Sequence, residues 1–324
     1  MPGSVAFEFL AKSCKLFKRV QRIIKLDDFT HIEDAPTGQC PDCTRPLDPL
    51  PYTDGTWNGG RNGGRNGIGM STAIEFRAIT VVTPQGRRLL DDISLSVDAG
   101  TLTVLLGRSG SGKTTLLRTV NRMVVPTGGE VLVNGKPNRD EDLIALRRSV
   151  GYVIQETGLF PHFTIERNVG VVLEAEGCAR AERVRRSYEL LLAVGLDPAI
   201  YANRFPNQLS GGQRQRVGLA RALAADPEIL LMDEPFGALD PLTRGEMQDM
   251  LRGLLAGLKK TVLLVTHDLD EALYLGDQIA LLSEGKLIAC LEPEEFLKSD
   301  LPEIQNYVRA FHRGERSAGR VASR

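Results

Sequence analysis

The sequence predicts an α/β fold with a largely parallel sheet, and three observations predict it. Strand-like apolar runs alternate with helix-compatible segments over most of the 324 residues, as in parallel sheets joined by helical crossovers. Residues 229–232 are continuously apolar and residues 261–266 nearly so, as expected of strands buried on both faces. A third run, residues 102–106, leads into a glycine-rich loop, GRSGSGKTT, at residues 107–115.

Residues 1–69 do not share this pattern. Residues 1–26 are basic and amphipathic, which suits a helix on a membrane surface or against a partner, or else a solvated extension. Residues 37–69 are rich in Pro, Gly and Asn and cannot bury a core. We therefore expect residues 1–69 to be a disordered linker segment or a start assigned too far upstream, with Met70 as the true first residue.

The remaining elements follow in chain order. Two strand patterns within residues 73–97 flank Pro84-Gln85-Gly86, which predicts a hairpin. Further strands are expected at residues 130–133, 147–154, 279–282 and 286–289, the last two as a closing hairpin. Helices are expected at residues 115–123, 165–194, 209–225, 241–258 and 270–275.

Composition excludes some classes of function. A formal net charge of −1 gives no general attraction to nucleic acid, so no nucleic-acid partner is expected. No apolar segment is long enough to span a bilayer, so other subunits would have to cross any membrane at which the protein works. The five scattered cysteines argue against a disulfide framework and fit a reducing compartment.

The loop at residues 107–115 fits the pattern G-x-x-x-x-G-K-[ST]. Glycines allow a tight turn whose amide groups point at phosphate oxygens, and the following helix adds its positive end. Lys113 would reach the terminal phosphates and the Thr114 hydroxyl would hold magnesium. A chance match to a short pattern is the alternative, which the preceding strand and the following helix disfavour. The expected binding residues are Gly107, Ser109, Gly110, Ser111, Gly112, Lys113, Thr114 and Thr115.

A second candidate anion site is the string LSGGQ at residues 209–213. A serine and two glycines at a helix start supply N–H groups, a hydroxyl and the helix dipole. Two such helix ends in one domain cannot easily serve one nucleotide, so we expect a head-to-tail homodimer in which each motif closes over its partner's nucleotide. The alternative is a simple capping turn.

Acidic and basic groups follow the two buried strands. Asp233 and Glu234 end the run at residues 229–232, where Asp233 would hold magnesium through water and Glu234 would take a proton from the attacking water. His267 ends the next strand and would contact the γ-phosphate. The alternatives are acidic residues that only cap the next helix, and a structural histidine.

Together these strings resemble the ATP-binding-cassette (ABC) ATPases over roughly residues 71–313. They match the Walker A loop, Gln155 of the Q-loop, the LSGGQ signature, Walker B, Asp240 of the D-loop and the switch His267. The resemblance implies a P-loop NTPase domain over residues 70–290, followed by a helical tail over residues 291–324. Within that domain it implies a mostly parallel core sheet, an antiparallel β subdomain and a helical signature subdomain at about 157–226.

The resemblance also implies roles, with ATP and Mg²⁺ as cofactors. The catalytic residues would be Glu234, His267 and Gln155, and the magnesium residues Thr114, Gln155 and Asp233. The signature residues that complete the opposing site would be Ser210, Gly211, Gly212 and Gln213, with Asp240 coupling the two sites.

Residues 158–165 and 168–198 are similar to glycine betaine, carnitine and choline importers. This implies a peripheral ATPase at the cytoplasmic face of the plasma membrane that drives permease subunits and serves a solute-binding protein indirectly. Alternatives are an importer ATPase for another small solute, such as an amino acid, nitrate or sulfonate, or a soluble ABC ATPase. A scaffold that binds ATP without turnover is a third, disfavoured by Glu234 and His267.

Two departures from the family pattern stand out. Thr83 occupies the place of the aromatic that usually stacks on adenine, so ATP is expected to bind more weakly or against another ring. The stretch after the closing hairpin leaves room for one or two helices, so we expect no paired regulatory domain of the kind that osmoprotectant ATPases often carry.

Overall fold

The computed structural model describes residues 71–155 and 157–321, with side chains described as far as residue 311. They form two compact units, one of residues 71–155 and 227–321 and the other of residues 157–226. The predicted amphipathic and linker segments of residues 1–69 lie outside the described residues.

The strands are β1 (Thr72–Val82), β2 (Arg88–Asp98), β3 (Leu102–Leu106), β4 (Gly128–Val133), β5 (Lys136–Pro137), β6 (Val150–Val153), β7 (Ile229–Asp233), β8 (Thr261–Thr266), β9 (Gln278–Ser283) and β10 (Lys286–Leu291). The α-helices are α1 (Lys113–Val120), α2 (Leu143–Ser149), α3 (Ile165–Ala175), α4 (Arg180–Ala193), α5 (Pro198–Tyr201), α6 (Gly211–Ala222), α7 (Pro241–Leu258), α8 (Leu269–Leu275), α9 (Pro293–Lys298) and α10 (Pro302–Val321).

The larger sheet of the first unit has the strand order β10-β9-β3-β8-β7-β6. Its strands are parallel except for β10, which pairs antiparallel with β9 at one edge. Every residue of β3, β7 and β8 is buried, as the apolar runs predicted. The register pairs Leu106 with Thr266 and Asp233 with Val265, so the loops after these three strands begin at the same sheet edge.

The second sheet of this unit is antiparallel, in the order β2-β1-β4-β5. Its apolar face and that of the parallel sheet share one core, in which Ile74 and Phe76 belong to the same buried cluster as Leu105, Leu231 and Leu263. Burial of these side chains holds the β1–β2 hairpin beside the parallel sheet. The expected α/β fold with a mostly parallel sheet and an antiparallel sheet is confirmed.

Most predicted elements are present, but two predictions need correction. The strand predicted at residues 147–154 is wrong for its first three residues, because α2 continues to Ser149 and β6 begins at Val150. The Asp142 carboxylate accepts hydrogen bonds from Ile144 N and Ala145 N and so starts a helix that the sequence interpretation did not include. The helical pattern over residues 165–194 is two helices, α3 and α4, separated by a turn in which Gly177 has a φ of +79°.

The unit of residues 157–226 is helical, and α3, α4 and α6 pack against one another. The buried Asn168 amide donates to the carbonyls of Phe160, Phe163 and Thr164, and its Oδ1 accepts from Phe160 N. These bonds fix the segment that leads into α3. Arg186, which is also buried, has Glu189 and Asp226 within 3.7 Å.

Two helices, α9 and α10, follow the closing hairpin. Within residues 71–155 and 157–321, no helix combines the length and the apolar character needed to cross a bilayer.

Candidate active site

The glycine-rich loop connects β3 to α1, as predicted. Close packing requires glycine at two of its positions, Gly107 and Gly112. Gly112 has a φ of +102°, and a Cβ there would lie 2.6 Å from Leu90 Cδ2 and 3.0 Å from Leu89 O. A Cβ on Gly107 would lie 2.3 Å from the carbonyl oxygen of Leu282. Neither position accepts a side chain, because each loop end presses against a neighbouring backbone.

The closing hairpin also fixes the loop, since Gly285 N donates to Ser111 O at 3.1 Å. Ser109 and Gly110 are exposed at the loop tip, whereas Ser111 is buried. The Ser111 hydroxyl has no hydrogen-bond partner among the described residues. A buried hydroxyl without a partner is costly, so the loop is suited to an incoming acceptor such as a phosphate oxygen.

The Lys113 side chain folds back over the loop. Its ammonium group donates to Gly107 O at 2.7 Å and to Arg108 O at 3.0 Å. Burial lowers the pKa of Lys113, while the charges of Glu234 and Asp233 oppose that shift. The Lys113 ammonium is thus held in the loop by two backbone carbonyls, which an anionic ligand can replace as acceptors. Thr115 follows on α1 and is half-buried.

Asp233 lies at the centre of a polar cluster at the end of β7. Thr114 Oγ1 donates to Asp233 Oδ1 at 2.7 Å, while Arg118 Nη2 and Tyr152 Oη each lie 3.3 Å from Oδ2. Arg118 also donates to Tyr152 Oη, and burial raises the pKa of that phenol. The Thr114 and Asp233 oxygens are the hard ligands that magnesium prefers, and they are adjacent.

Glu234 follows Asp233 but has different neighbours. Its backbone takes the left-handed conformation with a φ of +44°, held by a bond from Glu234 N to Val265 O. Glu234 Oε2 lies 3.4 Å from His267 Nδ1 and 3.5 Å from Gln155 Nε2. The structure therefore brings the three predicted catalytic residues together around one carboxylate oxygen. A non-glycine residue at positive φ is uncommon and occurs in turns and at functional sites.

Behind His267 lies a buried acid that the sequence interpretation missed. Thr266 Oγ1 donates to Glu271 Oε2, and the Arg244 guanidinium lies 3.9 Å from Glu271 and 3.6 Å from Asp268. Burial raises the pKa of Glu271, while the Thr266 bond and Arg244 oppose that shift. Through these contacts Thr266 on β8, Arg244 on α7 and Glu271 on α8 are linked, and all three line one pocket with His267.

The LSGGQ string lies in the other unit, at the start of α6. Ser210 caps the helix: its Oγ accepts from Gln213 N at 3.2 Å, and Gln213 Oε1 accepts from Ser210 N at 3.0 Å. Ser210 and Gly211 are exposed, and Gly212 is buried. The capping turn that the sequence left as an alternative is therefore present. A capping role does not compete with anion binding, since the exposed helix end remains accessible.

Two further predicted positions have local structural roles. Asp240 caps α7 by accepting from Thr243 N at 3.1 Å, and the side chain and then the backbone N–H of Thr243 lower the pKa of Asp240. Thr83 closes the β1–β2 hairpin, where its Oγ1 accepts from Arg87 N at 3.2 Å.

The sequence interpretation missed Arg118, Tyr152, Arg244 and Glu271. None of them belongs to a motif by itself, and each enters the site through tertiary packing. One available signal was the helical spacing of Thr114 and Arg118, which places both on the same face of α1.

Comparison with known proteins agrees with this fold. The family model described as "ABC transporter" matches residues 90–237. The dimeric post-hydrolysis structure of the ATP-binding cassette MJ0796 bound to ADP and Pi is 34% identical, with a TM-score of 0.62, and the match covers 68% of this chain and 98% of that one. The fold and site thus define an ATP-binding cassette. The chain belongs to the ABC transporter family.

Two curated relatives are more similar in sequence. The osmoprotectant import ATP-binding protein OsmV of Salmonella typhimurium is 47% identical over 220 residues, which are 68% of this chain and 58% of that protein. The choline transport ATP-binding protein OpuBA of Bacillus subtilis is 42% identical over 219 residues, which are 68% of this chain and 57% of that protein. The chain thus spans less than two thirds of the length of either relative.

Proposed function

We propose that this chain is the ATP-hydrolysing subunit of an ABC importer. It would work as a head-to-tail homodimer at the cytoplasmic face of the membrane, driving transmembrane permease subunits. One observation carries the proposal: the phosphate loop, the Thr114–Asp233 pair and the Glu234–His267–Gln155 group lie at one edge of the parallel sheet.

The loop would bind the phosphates of ATP. Its amides and the buried Ser111 hydroxyl would donate to phosphate oxygens, and the Lys113 ammonium would exchange its two loop carbonyls for the terminal phosphates. Because the Ser111 hydroxyl is buried without a partner among the described residues, an anion in the loop would supply the acceptor it lacks.

Thr114 and Asp233 would hold Mg²⁺, with Gln155 completing the set. The bound cation would neutralise charge on the phosphates. Asp233 keeps its own position through Arg118 and Tyr152, whose contacts with Oδ2 leave Oδ1 on the Thr114 side.

Glu234 would act as the general base. Its carboxylate would orient a water molecule for attack on the γ-phosphate and accept a proton from it. His267 would contact the γ-phosphate from its place beside Glu234 Oε2. Gln155 reaches the same oxygen and would sense whether the base is in place.

Ser210, Gly211, Gly212 and Gln213 would close the nucleotide site of a second copy, and Asp240 would couple the two sites. A helix end at which Ser210 and Gly211 are exposed suits contact with a phosphate from outside its own chain.

The cargo would be a quaternary amine or a similar osmoprotectant. This step rests on relatives whose names record osmoprotectant import and choline transport. A solute-binding protein would deliver the cargo, while the chain described here supplies energy.

Glu234→Gln tests hydrolysis directly. Loss of a general base lowers kcat by about 10²–10⁴-fold, while the amide leaves ATP binding intact. The matched control is Glu228→Gln, which removes a carboxylate next to the opposite end of β7 and should retain wild-type turnover. Phosphate release measures kcat and a fluorescent nucleotide measures binding. Unchanged turnover in Glu234→Gln would remove Glu234 from the role of base.

Ser210→Arg tests the shared site. The large cation should abolish hydrolysis by the dimer without weakening ATP binding to the monomer, because Ser210 serves the other chain's nucleotide. Asn203→Arg adds the same charge to an exposed position of the same unit and should be neutral. A parallel loss of monomer affinity in Ser210→Arg would contradict a site shared between chains.

The cargo is tested in cells. Uptake of labelled glycine betaine, carnitine and choline at high osmolarity should fall when the gene is deleted, and the wild-type gene but not Glu234→Gln should restore it. A labelled amino acid serves as the comparison. Loss of amino-acid uptake alone would assign a different cargo.

A further inference from the structure

The C-terminal helix α10 reaches the switch residue. Tyr307 Oη donates a hydrogen bond to the backbone carbonyl of His267 at 2.7 Å. Burial raises the pKa of Tyr307 to about 12, with a smaller contribution from Asp268. The phenol therefore keeps its proton and remains a donor throughout the neutral range.

A cavity joins the same helix to the nucleotide loop. Its volume is about 280 Å³. The lining residues are Arg108 and Ser109 from the loop, His267, and Tyr307, Ala310 and Phe311 from α10. Residues of α10 thus face the loop and the histidine together, although α10 lies more than thirty residues beyond His267 in sequence.

The residues before and after His267 also form hydrogen bonds that fix the backbone around the His267 carbonyl. Thr266 ends the buried strand β8 and accepts from Asp268 N at 3.1 Å, and Asp268 in turn caps α8. The residues on both sides of His267 are therefore held by the core of the unit. The peptide between His267 and Asp268 is therefore held at both of its polar groups, the N–H by Thr266 Oγ1 and the carbonyl by Tyr307, which belongs to a different element.

We propose that Tyr307 is a positioning residue for hydrolysis, which holds the His267 carbonyl so that the imidazole stays beside Glu234. The proposal rests on the function proposed above, in which His267 and Glu234 act on the γ-phosphate. The Tyr307 bond fixes the backbone of His267 at its carbonyl, and the imidazole that this backbone carries lies 3.4 Å from Glu234 Oε2. Docking of α10 thereby becomes a condition for full activity, and displacement of the helix slows turnover.

The substitution that isolates this bond is Tyr307→Phe. Phenylalanine keeps the ring, and with it the packing and the wall of the cavity beside Arg108 and Ser109. It removes only the hydrogen-bond donor. A hydrogen bond contributes about 0.5–1.5 kcal/mol net, and a rise of the activation free energy by that amount slows the reaction by a factor of roughly 2–12. We therefore expect kcat for ATP to fall about threefold to tenfold, with KM unchanged within about twofold.

The experiment uses the full chain, with phosphate release as the readout and the melting temperature as a check on folding. Tyr274→Phe is the matched control, because Tyr274 also donates its phenol proton, but to Asp249 on α7, and its loss should leave kcat unchanged. Two further variants are needed, His267→Ala alone and His267→Ala combined with Tyr307→Phe. If Tyr307 acts through His267, this double variant should be no slower than His267→Ala alone.

Three results would overturn the proposal: wild-type kcat in Tyr307→Phe, a rise in KM that accounts for the whole loss, or a double variant slower by the full single-variant factor. Failure of this proposal can be distinguished from failure of the proposed function by comparing Tyr307→Phe with Glu234→Gln. If Glu234→Gln stops hydrolysis and Tyr307→Phe does not slow it, only the positioning role fails. If Glu234→Gln hydrolyses ATP normally, the proposed function fails.

Discussion

Ser111→Ala should affect the protein in opposite directions with and without nucleotide. The Ser111 hydroxyl is buried and has no hydrogen-bond partner in the part of the chain that the structure describes. Burying such a group costs about 1–3 kcal/mol. Removing the oxygen also loses some packing, so we expect the free energy of unfolding of the nucleotide-free protein to rise by about 1 kcal/mol. For a domain of this size, that is a rise of about 2–4 °C in the melting temperature.

ATP binding should change in the other direction. A hydrogen bond to a charged group contributes about 1.5–3 kcal/mol, and its loss raises Kd roughly ten- to hundredfold. Calorimetric titration with a non-hydrolysable ATP analogue measures Kd, and scanning calorimetry without nucleotide measures the melting temperature. At a nucleotide concentration that saturates the wild type, the melting temperatures should therefore reverse their order.

Thr103→Val provides the matched control. Thr103 Oγ1 is also buried without a partner among the described residues, but it lies within β3 and not in the loop. Valine should stabilise the nucleotide-free protein by a similar amount and leave Kd unchanged. If Ser111→Ala is less stable than the wild type while Thr103→Val is more stable, the Ser111 hydroxyl is not an unsatisfied donor. If Kd is unchanged in Ser111→Ala, the hydroxyl does not contact phosphate.

Two further predictions concern a buried acid and the adenine. Burial raises the pKa of Glu271 above its ordinary 4.5, so its carboxyl contributes most to stability below 4.5 and loses that contribution as pH rises through the raised value. Glu271→Gln, neutral at every pH, should therefore lose less unfolding free energy than the wild type as pH rises from 4.5 in urea titrations; a steeper loss would show that the acid is stabilised in its ionised form. Thr83→Tyr should tighten ATP binding by about 1–3 kcal/mol through stacking. Thr83→Ala, which loses the same acceptor for Arg87 N without adding a ring, should not, and equal affinities of the two variants would mean that adenine does not lie at this hairpin.

The sequence predicts the parts of this fold whose signal is local. Strands β3, β7 and β8 are largely apolar because both of their faces are buried, and the phosphate loop has Gly107 and Gly112 where close contacts leave no room for a Cβ. Helix α2 was missed because it starts at a capping bond to Asp142, a residue type that also suits a loop. The contacts of Arg118, Tyr152 and Tyr307 were missed for a different reason. Their partners lie 34 to 115 residues away in sequence, and no periodicity encodes which distant side chain they meet.

The two consecutive carboxylates at the end of β7 show how local geometry separates two roles. Asp233 is the last residue of β7 and Glu234 the first residue after it, and their carboxylates have different hydrogen-bond partners. The left-handed turn at Glu234 adds to this separation by ending the strand immediately after Asp233. Asp233 is thereby surrounded by Thr114 and Arg118, which hold its carboxylate in the place where it would bind a cation. Glu234 instead faces His267, where a carboxylate is accessible to water, and a base must exchange protons with water during every turnover.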